Sequence, residues 1–557
     1  MTTIKLFTRS HFSLVFALIL AFLFCLQGIR WGRVECWNAD QMALRGLSWL
    51  KPGDYLKPPF HTYLNHLLVI YPIQGMEALS GIPKDRWNIA NPLILIDSRL
   101  LVILLFLGTI LLAYNYSLEC YGRFAAGVIA LLFATSAGFI GYAHFLTADS
   151  PLLFWMLLAF WSAHRIISSP SRFNYGAAGF FAGIATATKY NGLAVAISLV
   201  AAHLLALKDA GPRQVIFNRN LAFGLLMVPA GFLAGCFSVL YEPRKFWTQF
   251  LFNYIVTPRF EGQADRFGYL DFLKRIPEII GLPGAIALAV LLTIAVLVVV
   301  REHHFNTPST HGLLLAASVF LFYFLKMGAF PRQQTRFVLP AVPFLLLATG
   351  PVFQRRALAR LLLVLLLPVL LYNCVCSYFV GRRFNDDPRL AAQVWLLQNL
   401  KPGNLIESSP DSPHWSKLPA LKAKEVEVSQ PNWTRAAGAD VIDLRMPVLT
   451  GRAELFRRTF PNKKWVGELA AKYESDSGAW AYRLEELRRR HPNFITFYSF
   501  DFSSPSQALH RYYEDLLAEK YPYQIAFAAE SSPVPTWVYP RYIDFLPGRM
   551  TIFRGKN

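Results

Sequence analysis

The sequence predicts an α-helical polytopic membrane protein of about eleven transmembrane helices with a C-terminal extracytoplasmic α/β domain. Three observations predict it. Of 557 residues, 54% are hydrophobic and only 16% are charged. Apolar runs of about 20 residues, each long enough to cross a bilayer core, recur along the first two thirds of the chain. From Gly381 onward the composition becomes that of a soluble domain. A formal charge of +20 in a soluble protein would point to nucleic acid, but here the Lys and Arg sort by side of the membrane, so no nucleic-acid partner is expected.

The first run, "FSLVFALILAFLFCLQG", follows Lys5 and Arg9 and leads to no small-residue cleavage site, so it reads as an uncleaved first helix. Further runs are Leu100 to Leu118, Phe124 to Tyr142, Pro151 to Ile167, Ala177 to Thr188, Leu193 to Leu207, Leu221 to Leu240, Ile280 to Val300, Leu313 to Leu325, Phe337 to Phe353 and Leu361 to Phe379. Lys5 and Arg9, then Arg123, Arg165 and Arg172, Lys208, Arg213 and Arg219, Arg301, and Arg355, Arg356 and Arg360 all fall on one alternating side. The positive-inside rule makes that side cytoplasmic and puts the N-terminus inside. "FHTYLNHLLVIYPIQGMEAL", Phe60 to Leu79, is long enough to span but carries His61, Asn65, His66, Pro72, Gln74 and Glu77. If it spanned, every later basic loop would move outside, so it is expected to lie along the outer membrane surface.

These readings divide the chain into a membrane domain, residues 1–380, and an extracytoplasmic domain, residues 381–557. The membrane domain has a first outer loop over 31–99, which includes the surface helix, and another outer loop over 241–276. In the outer domain, "FITFYSFDF" and "QIAFAA" read as strands. Between them Ser504 and Pro505 open a helix over Gln507 to Tyr521, and "NLIES" and "ADVIDL" add two more strand candidates. The cysteines, Cys25, Cys36, Cys120, Cys236, Cys374 and Cys376, lie in or beside apolar runs without metal-ligand spacing, so neither zinc nor a disulfide framework is expected.

Charged groups beside membrane helix ends are costly, which makes them candidates for function. On the outer side these are Asp40 in "WNADQ", Lys57 in "GDYLKPPFHTYL", Asp149 in "HFLTADSPLLFW", Lys189 in "ATATKYNGL", and Arg332 and Arg336 in "FPRQQTRFVLP". A carboxylate can take a proton from an attacking hydroxyl, and fixed cations can stabilise the charge on a departing phosphate. A phosphate that reaches the bilayer edge belongs to a lipid. Plainer alternatives stand beside this reading. Asp149 could cap a helix, Lys189, Arg332 and Arg336 could snorkel as interfacial anchors, and Asp40 could be an ordinary loop acid. His61, His66 and His144 read as interfacial hydrogen-bonding residues rather than metal ligands, since no HExxH or H-x-x-x-H spacing occurs.

In their order, the first-loop acid, "KPPF", "YGRFAAGVIALLFATSAGFIGYAHFLTADSPLLFWMLLAFW", "AGIATATKYNGL" and "TRFVLPAVPFLLLATG" resemble the polyprenyl-phosphate-sugar-dependent glycosyltransferases of the GT-C superfamily. The nearest group in that resemblance is the bacterial protein O-mannosyltransferases and lipid A aminoarabinose transferases, over roughly Cys36 to Gly350. The resemblance implies an inverting transfer of sugar from a polyprenyl-phosphate donor to a lipid, glycan or protein acceptor. It makes Asp40 the general base, Asp149 the second acid, and Lys57, Lys189 and Arg336 the phosphate binders, with Arg45 and Arg332 in support. The family often carries an acidic pair where this chain has Asp40 followed by Gln41, and the spacing from "GDY" to "KPP" is compressed here. Metal use differs across the superfamily. A monophosphate neutralised by Lys and Arg does not require a metal, so none is assigned and a divalent ion stays open. The implied location is the bacterial inner membrane, with the C-terminal domain outside. A lipid or sugar transporter is the rival, but it would place charges near the bilayer midplane, where these runs are nearly free of them.

Overall fold

The structure is a computed structural model. It describes residues 11–31, 58–79, 92–251, 267–302, 307–331, 333–354, 356–401, 404–408, 441–443, 484–498, 507–531, 535, 537–538 and 548–556. Every apolar run read from the sequence is helical. In order, α1 is Phe12–Leu26, and α2 is Phe60–Asn65, continued by a π turn His66–Ile70 and by Tyr71–Leu79. Next come α3 Pro92–Tyr121, α4 Arg123–Thr135, α5 Ala137–Ala143, α6 Asp149–Ser168, α7 Arg172–Thr188, and α8 Ile197–Ala206 behind a 3₁₀ turn Tyr190–Ala196. They are followed by α9 Arg219–Gly235, α10 Pro243–Leu251, α11 Tyr269–Ile280, α12 Leu282–Glu302 and α13 Pro308–Gly328. The broken helix α14 opens with Thr335–Val338 and ends with Gly350–Gln354, and α15 is Arg356–Asn385.

Among the described residues, seven helices are long and apolar enough to cross a membrane, or eight if the pair α4 and α5, bent by 59° at Ser136, counts as one span. Phe12–Leu26 and Tyr190–Ala206 are shorter apolar helices. Helix α7 is likewise short, its 17 residues reaching about 25 Å at 1.5 Å per residue.

Helices α7 and α9 show how sequence fixes packing here. Ser171 caps α7 by accepting from Asn174 N at 3.3 Å, and Asn218 caps α9 by accepting from Asn220 N at 2.9 Å and Leu221 N at 3.1 Å. Between the caps, Gly179 and Gly183 of α7 face Gly224 and Gly231 of α9 so closely that a Cβ on Gly179 would lie 1.9 Å from Gly224 O. One on Gly183 would lie 2.1 Å from Val228 O. Small residues let two membrane helices approach backbone to backbone, where van der Waals contact replaces a hydrophobic drive. Gly183→Leu is therefore expected to force the pair apart and to cost ~1–3 kcal/mol, as overpacking does. It should lower the Tm of detergent-purified protein, whereas Gly75→Ala, with nothing within 4 Å of the added Cβ, should not.

The C-terminal part forms a five-stranded sheet in the order β2-β1-β3-β5-β4, from β1 Ile406–Ser408, β2 Val441–Asp443, β3 Phe494–Tyr498, β4 Tyr523–Glu530 and β5 Arg549–Gly555. β1 pairs in parallel with β2 and β3, while β5 runs antiparallel to β3 and β4. Alternation along the strands splits the core in two. Phe494, Met550 and Ile552 pack with Ala392 and Leu396 of α16, Pro388–Asn399. Ile495, Phe497 and Phe553 pack with Leu487 of α17, Leu484–Arg490, and with Tyr512, Tyr513 and Leu516 of α18, Gln507–Leu517. The result is an α/β sandwich with helices on both faces. The four expected strands and the expected helix are present, while β5, which joins the two antiparallel pairs, was not expected from the sequence.

Candidate functional site

Asp149 is the first residue of α6, and its side chain makes no capping hydrogen bond. The carboxylate is 6% exposed and instead receives the ammonium of Lys189, whose side chain is 24% exposed. Lys189 leaves α7 in an extended conformation (φ −158°, ψ 133°) while its N–H still bonds to Ala185 O at 3.0 Å. This break turns the side chain off the helix axis toward α6, which packs along α7. The capping reading of Asp149 and the snorkelling reading of Lys189 therefore give way to a largely buried ion pair.

A second cation stands beside the pair. Lys189 Nζ lies 5.6 Å from the centroid of the Phe337 ring, and Arg336 Cζ lies 5.3 Å from the same centroid. The two cations thus share one aromatic ring, which attracts both through its negative π face. Arg336 Nε also donates to Gln334 Oε1 at 2.8 Å. A relay fixes the two loops to each other. Asn191 Nδ2 donates to the Tyr323 hydroxyl of α13 at 2.5 Å, and that hydroxyl donates to Phe337 O at 2.8 Å. Thr335 at the start of α14 donates to Glu278 of α11, which also accepts from Arg275 Nη1 at 2.5 Å. Asn191, Tyr323 and Phe337 were not picked out from the sequence. Only Tyr323 left a trace there, as a polar tip in an apolar run.

Asp40, Arg45, Lys57 and Arg332 lie outside the described residues. The structure therefore brings together Asp149, Lys189 and Arg336 of the expected set. The start of the segment that bears Asp40 is nevertheless firmly held. Gly28, at φ +79°, lets the chain leave α1 against α15, where a Cβ would meet Phe384 Cβ at 2.5 Å. Trp31 follows, buried, with Nε1 donating to Asp387 Oδ2 at 2.7 Å. The guanidiniums of Arg99 and Arg389 each sit 5.3 Å from its ring centroid. Arg389 grips Asp387 with two nitrogens, Nε at 2.9 Å from Oδ1 and Nη2 at 2.6 Å from Oδ2, in a pair whose side chains are 1% and 0% exposed. Asp387 also caps α16 by accepting from Arg389 N at 2.9 Å. His144, stacked on Phe384 at 4.2 Å, has its ring nitrogens 2.7 Å from Ile140 O and 2.6 Å from Gln27 O. One buried node thus ties together the end of α1, the turn after α5 and the beginning of α16.

His61 lies on the first turn of α2, behind Pro58 and Pro59. The neighbouring Phe60 packs edge-on to Trp155 of α6 at 5.5 Å, and Tyr63 packs on Phe237 at 6.2 Å. His66 Nδ1 bonds back to Thr62 O at 2.8 Å, as a helical His can. The first half of α2, His61 to His66, is largely buried, whereas Leu67, Leu68, Met76 and Leu79 are more than half exposed. Burial pushes the His61 imidazole down to about 4, opposed by the nearby Asp149 carboxylate. Among the described residues no group of three or more His, Cys, Asp or Glu is placed to hold a metal ion.

Fold and site together define a polytopic helical membrane protein in which a carboxylate and two cations meet where several helices break. Residues 88–242 match the family model of dolichyl-phosphate-mannose-protein mannosyltransferases, a stretch that contains Asp149 and Lys189. The family so described is one of protein mannosyltransferases, a group that the ordered sequence motifs resemble. The chain is similar in structure to ArnT from Cupriavidus metallidurans bound to undecaprenyl phosphate, at 15% identity and a TM-score of 0.49 over 97% of each chain. It is also similar to the oligosaccharyltransferase AglB from Archaeoglobus fulgidus in complex with an inhibitory peptide and a dolichol-phosphate, at 12% identity and a TM-score of 0.44, over 93% of this chain and 73% of that one. No curated protein matches the chain in sequence.

Proposed function

We propose that the protein is an integral-membrane glycosyltransferase that moves one sugar from a polyprenyl-phosphate carrier to an acceptor hydroxyl on the extracytoplasmic side, with inversion. The observation that carries this reading is the sharing of one ring by Lys189 and Arg336, with Lys189 anchored to the buried Asp149. Two cations held beside one buried carboxylate are an arrangement that can stabilise the charge developing on a departing phosphate. Asp40, on the outer loop that begins just beyond Trp31, is the general base that takes the acceptor proton as the hydroxyl attacks the anomeric carbon. Lys57 completes the phosphate site, with Arg45 and Arg332 supporting it. Asp149 acts through Lys189, holding the ammonium where the phosphate leaves. Residues 1–380 carry the chemistry and residues 381–557 form an extracytoplasmic domain, in a chain whose N-terminus is cytoplasmic. The family match over residues 88–242 supports a lipid-phosphate-sugar donor.

Binding of undecaprenyl phosphate to protein in nanodiscs tests the phosphate site. A charged hydrogen bond is worth about 1.5–3 kcal/mol, so Arg336→Ala and Lys189→Ala should each weaken binding by about tenfold or more. Unchanged affinity in both variants, measured on folded protein, would return them to structural roles.

A further inference from the structure

His61 is 4% exposed, and neither ring nitrogen has a hydrogen-bond partner. Leaving a buried donor and acceptor unsatisfied is costly, and the great majority of such groups in folded proteins are paired. The charged group that acts on His61 through space is Asp149, the partner of Lys189. The two segments that carry the ion pair also hold unpartnered buried atoms. Thr147 Oγ1, two residues before Asp149, has no partner, and neither has Asn191 Oδ1, two residues after Lys189. His61 is thus a buried, unsatisfied group within electrostatic reach of the ion pair, and the segments that carry the pair each hold a further unsatisfied polar atom.

Packing fixes the helix turn that carries His61. Phe60 fills the space beside Trp155 and against Gly235, where a Cβ would meet its ring at 3.0 Å, and Pro59 begins the helix without a side-chain cap. Two consecutive prolines remove backbone freedom just before the turn. The turn that carries the imidazole is therefore held in place before any ligand arrives, and a polar ligand would satisfy the ring.

We propose that His61 is a ligand of the bound phosphate, donating a ring N–H to a phosphate oxygen beside Lys189. This rests on the glycosyltransferase reading and adds to it a neutral donor that the sequence reading had treated as an interfacial residue. At neutral pH the buried ring is uncharged and offers one N–H and one acceptor nitrogen. An anion beside it selects the tautomer that points the N–H toward the phosphate. The second nitrogen is left for a hydroxyl.

The test uses full-length protein in nanodiscs, undecaprenyl phosphate as the probe, and the variants His61→Leu and His61→Gln. His61→Leu should weaken undecaprenyl phosphate binding by about tenfold, the loss of one hydrogen bond to a charged group. The same variant should keep or raise the Tm of the ligand-free protein, because it replaces two unsatisfied polar atoms with apolar ones. His61→Gln, which keeps an N–H donor, should stay within about threefold of the unmodified protein, since an amide can make the same type of bond. Inorganic phosphate as competitor separates the sources. Displacement at millimolar concentration with the same dependence on His61 assigns the contact to the phosphate group itself. His61→Leu binding as tightly as the unmodified protein would overturn the proposal, as would His61→Leu lowering the Tm of the free protein. Failure of the unmodified protein to bind undecaprenyl phosphate would instead sink the glycosyltransferase reading.

Discussion

Asp40→Asn is expected to lower sugar transfer by about 10²–10⁴-fold, the usual contribution of a positioned general base. Polyprenyl-phosphate binding should stay close to that of the unmodified protein, because the phosphate contacts come from Lys57, Lys189 and Arg336. Asn has nearly the shape of Asp but cannot accept the acceptor hydroxyl's proton. The variant should therefore separate chemistry from binding, with kcat falling and donor affinity unchanged. Gln41, which stands where the family often has a second acid, sharpens the expectation, since an amide at that position cannot take the proton. Transfer retained at more than about a tenth of the original rate would remove Asp40 as the base.

The second large effect is on stability. Asp387→Ala leaves the Arg389 guanidinium, 1% exposed, without its bidentate partner, and at the same time removes the acceptor for Trp31 and the cap of α16. Breaking one side of a buried ion pair costs about 3–5 kcal/mol, because the remaining charge is stranded away from water. The loss of the cap adds about 1 kcal/mol. The expected readout is a large fall in Tm and in the yield of monodisperse protein. Asp387→Asn, which keeps the cap and one acceptor, should lose less. If Asp387→Ala were as stable as the unmodified protein, the node around Trp31 would not organise the start of the outer loop.

The helices were legible because a bilayer imposes a simple demand, a run of apolar residues of fixed length. Every such run is helical, including the short α7 with its 17 residues. The bend at Ser136 was not legible, since the run from Phe124 to Tyr142 reads as unbroken and its direction depends on tertiary contacts. α2 was legible as a helix bearing polar residues. Its division into a buried first half and an exposed second half depends on the packing of Phe60 and Tyr63, which no local pattern encodes. β5 escaped because only Met550, Ile552 and Phe553 of "RMTIFRG" are apolar, while the four residues from Met550 to Phe553 are all buried. A strand buried on both sides shows little alternation, and a run this short cannot be told from a helix segment by period alone. In the site, Asp149, Lys189 and Arg336 were legible as charges at helix ends. Phe337, Tyr323 and Asn191 were not, because an aromatic or amide residue at such a position is ordinary until the partners from other helices are known.

The most direct test is lipid and glycan mass spectrometry of cells lacking this protein, complemented either with the unmodified gene or with the Asp40→Asn variant. The account predicts that the deletion and Asp40→Asn cells accumulate a polyprenyl-phosphate-linked sugar and lose one sugar modification from an envelope lipid, glycan or protein, and that the unmodified gene restores it. Identical lipid and glycan spectra in all of these cells would contradict it.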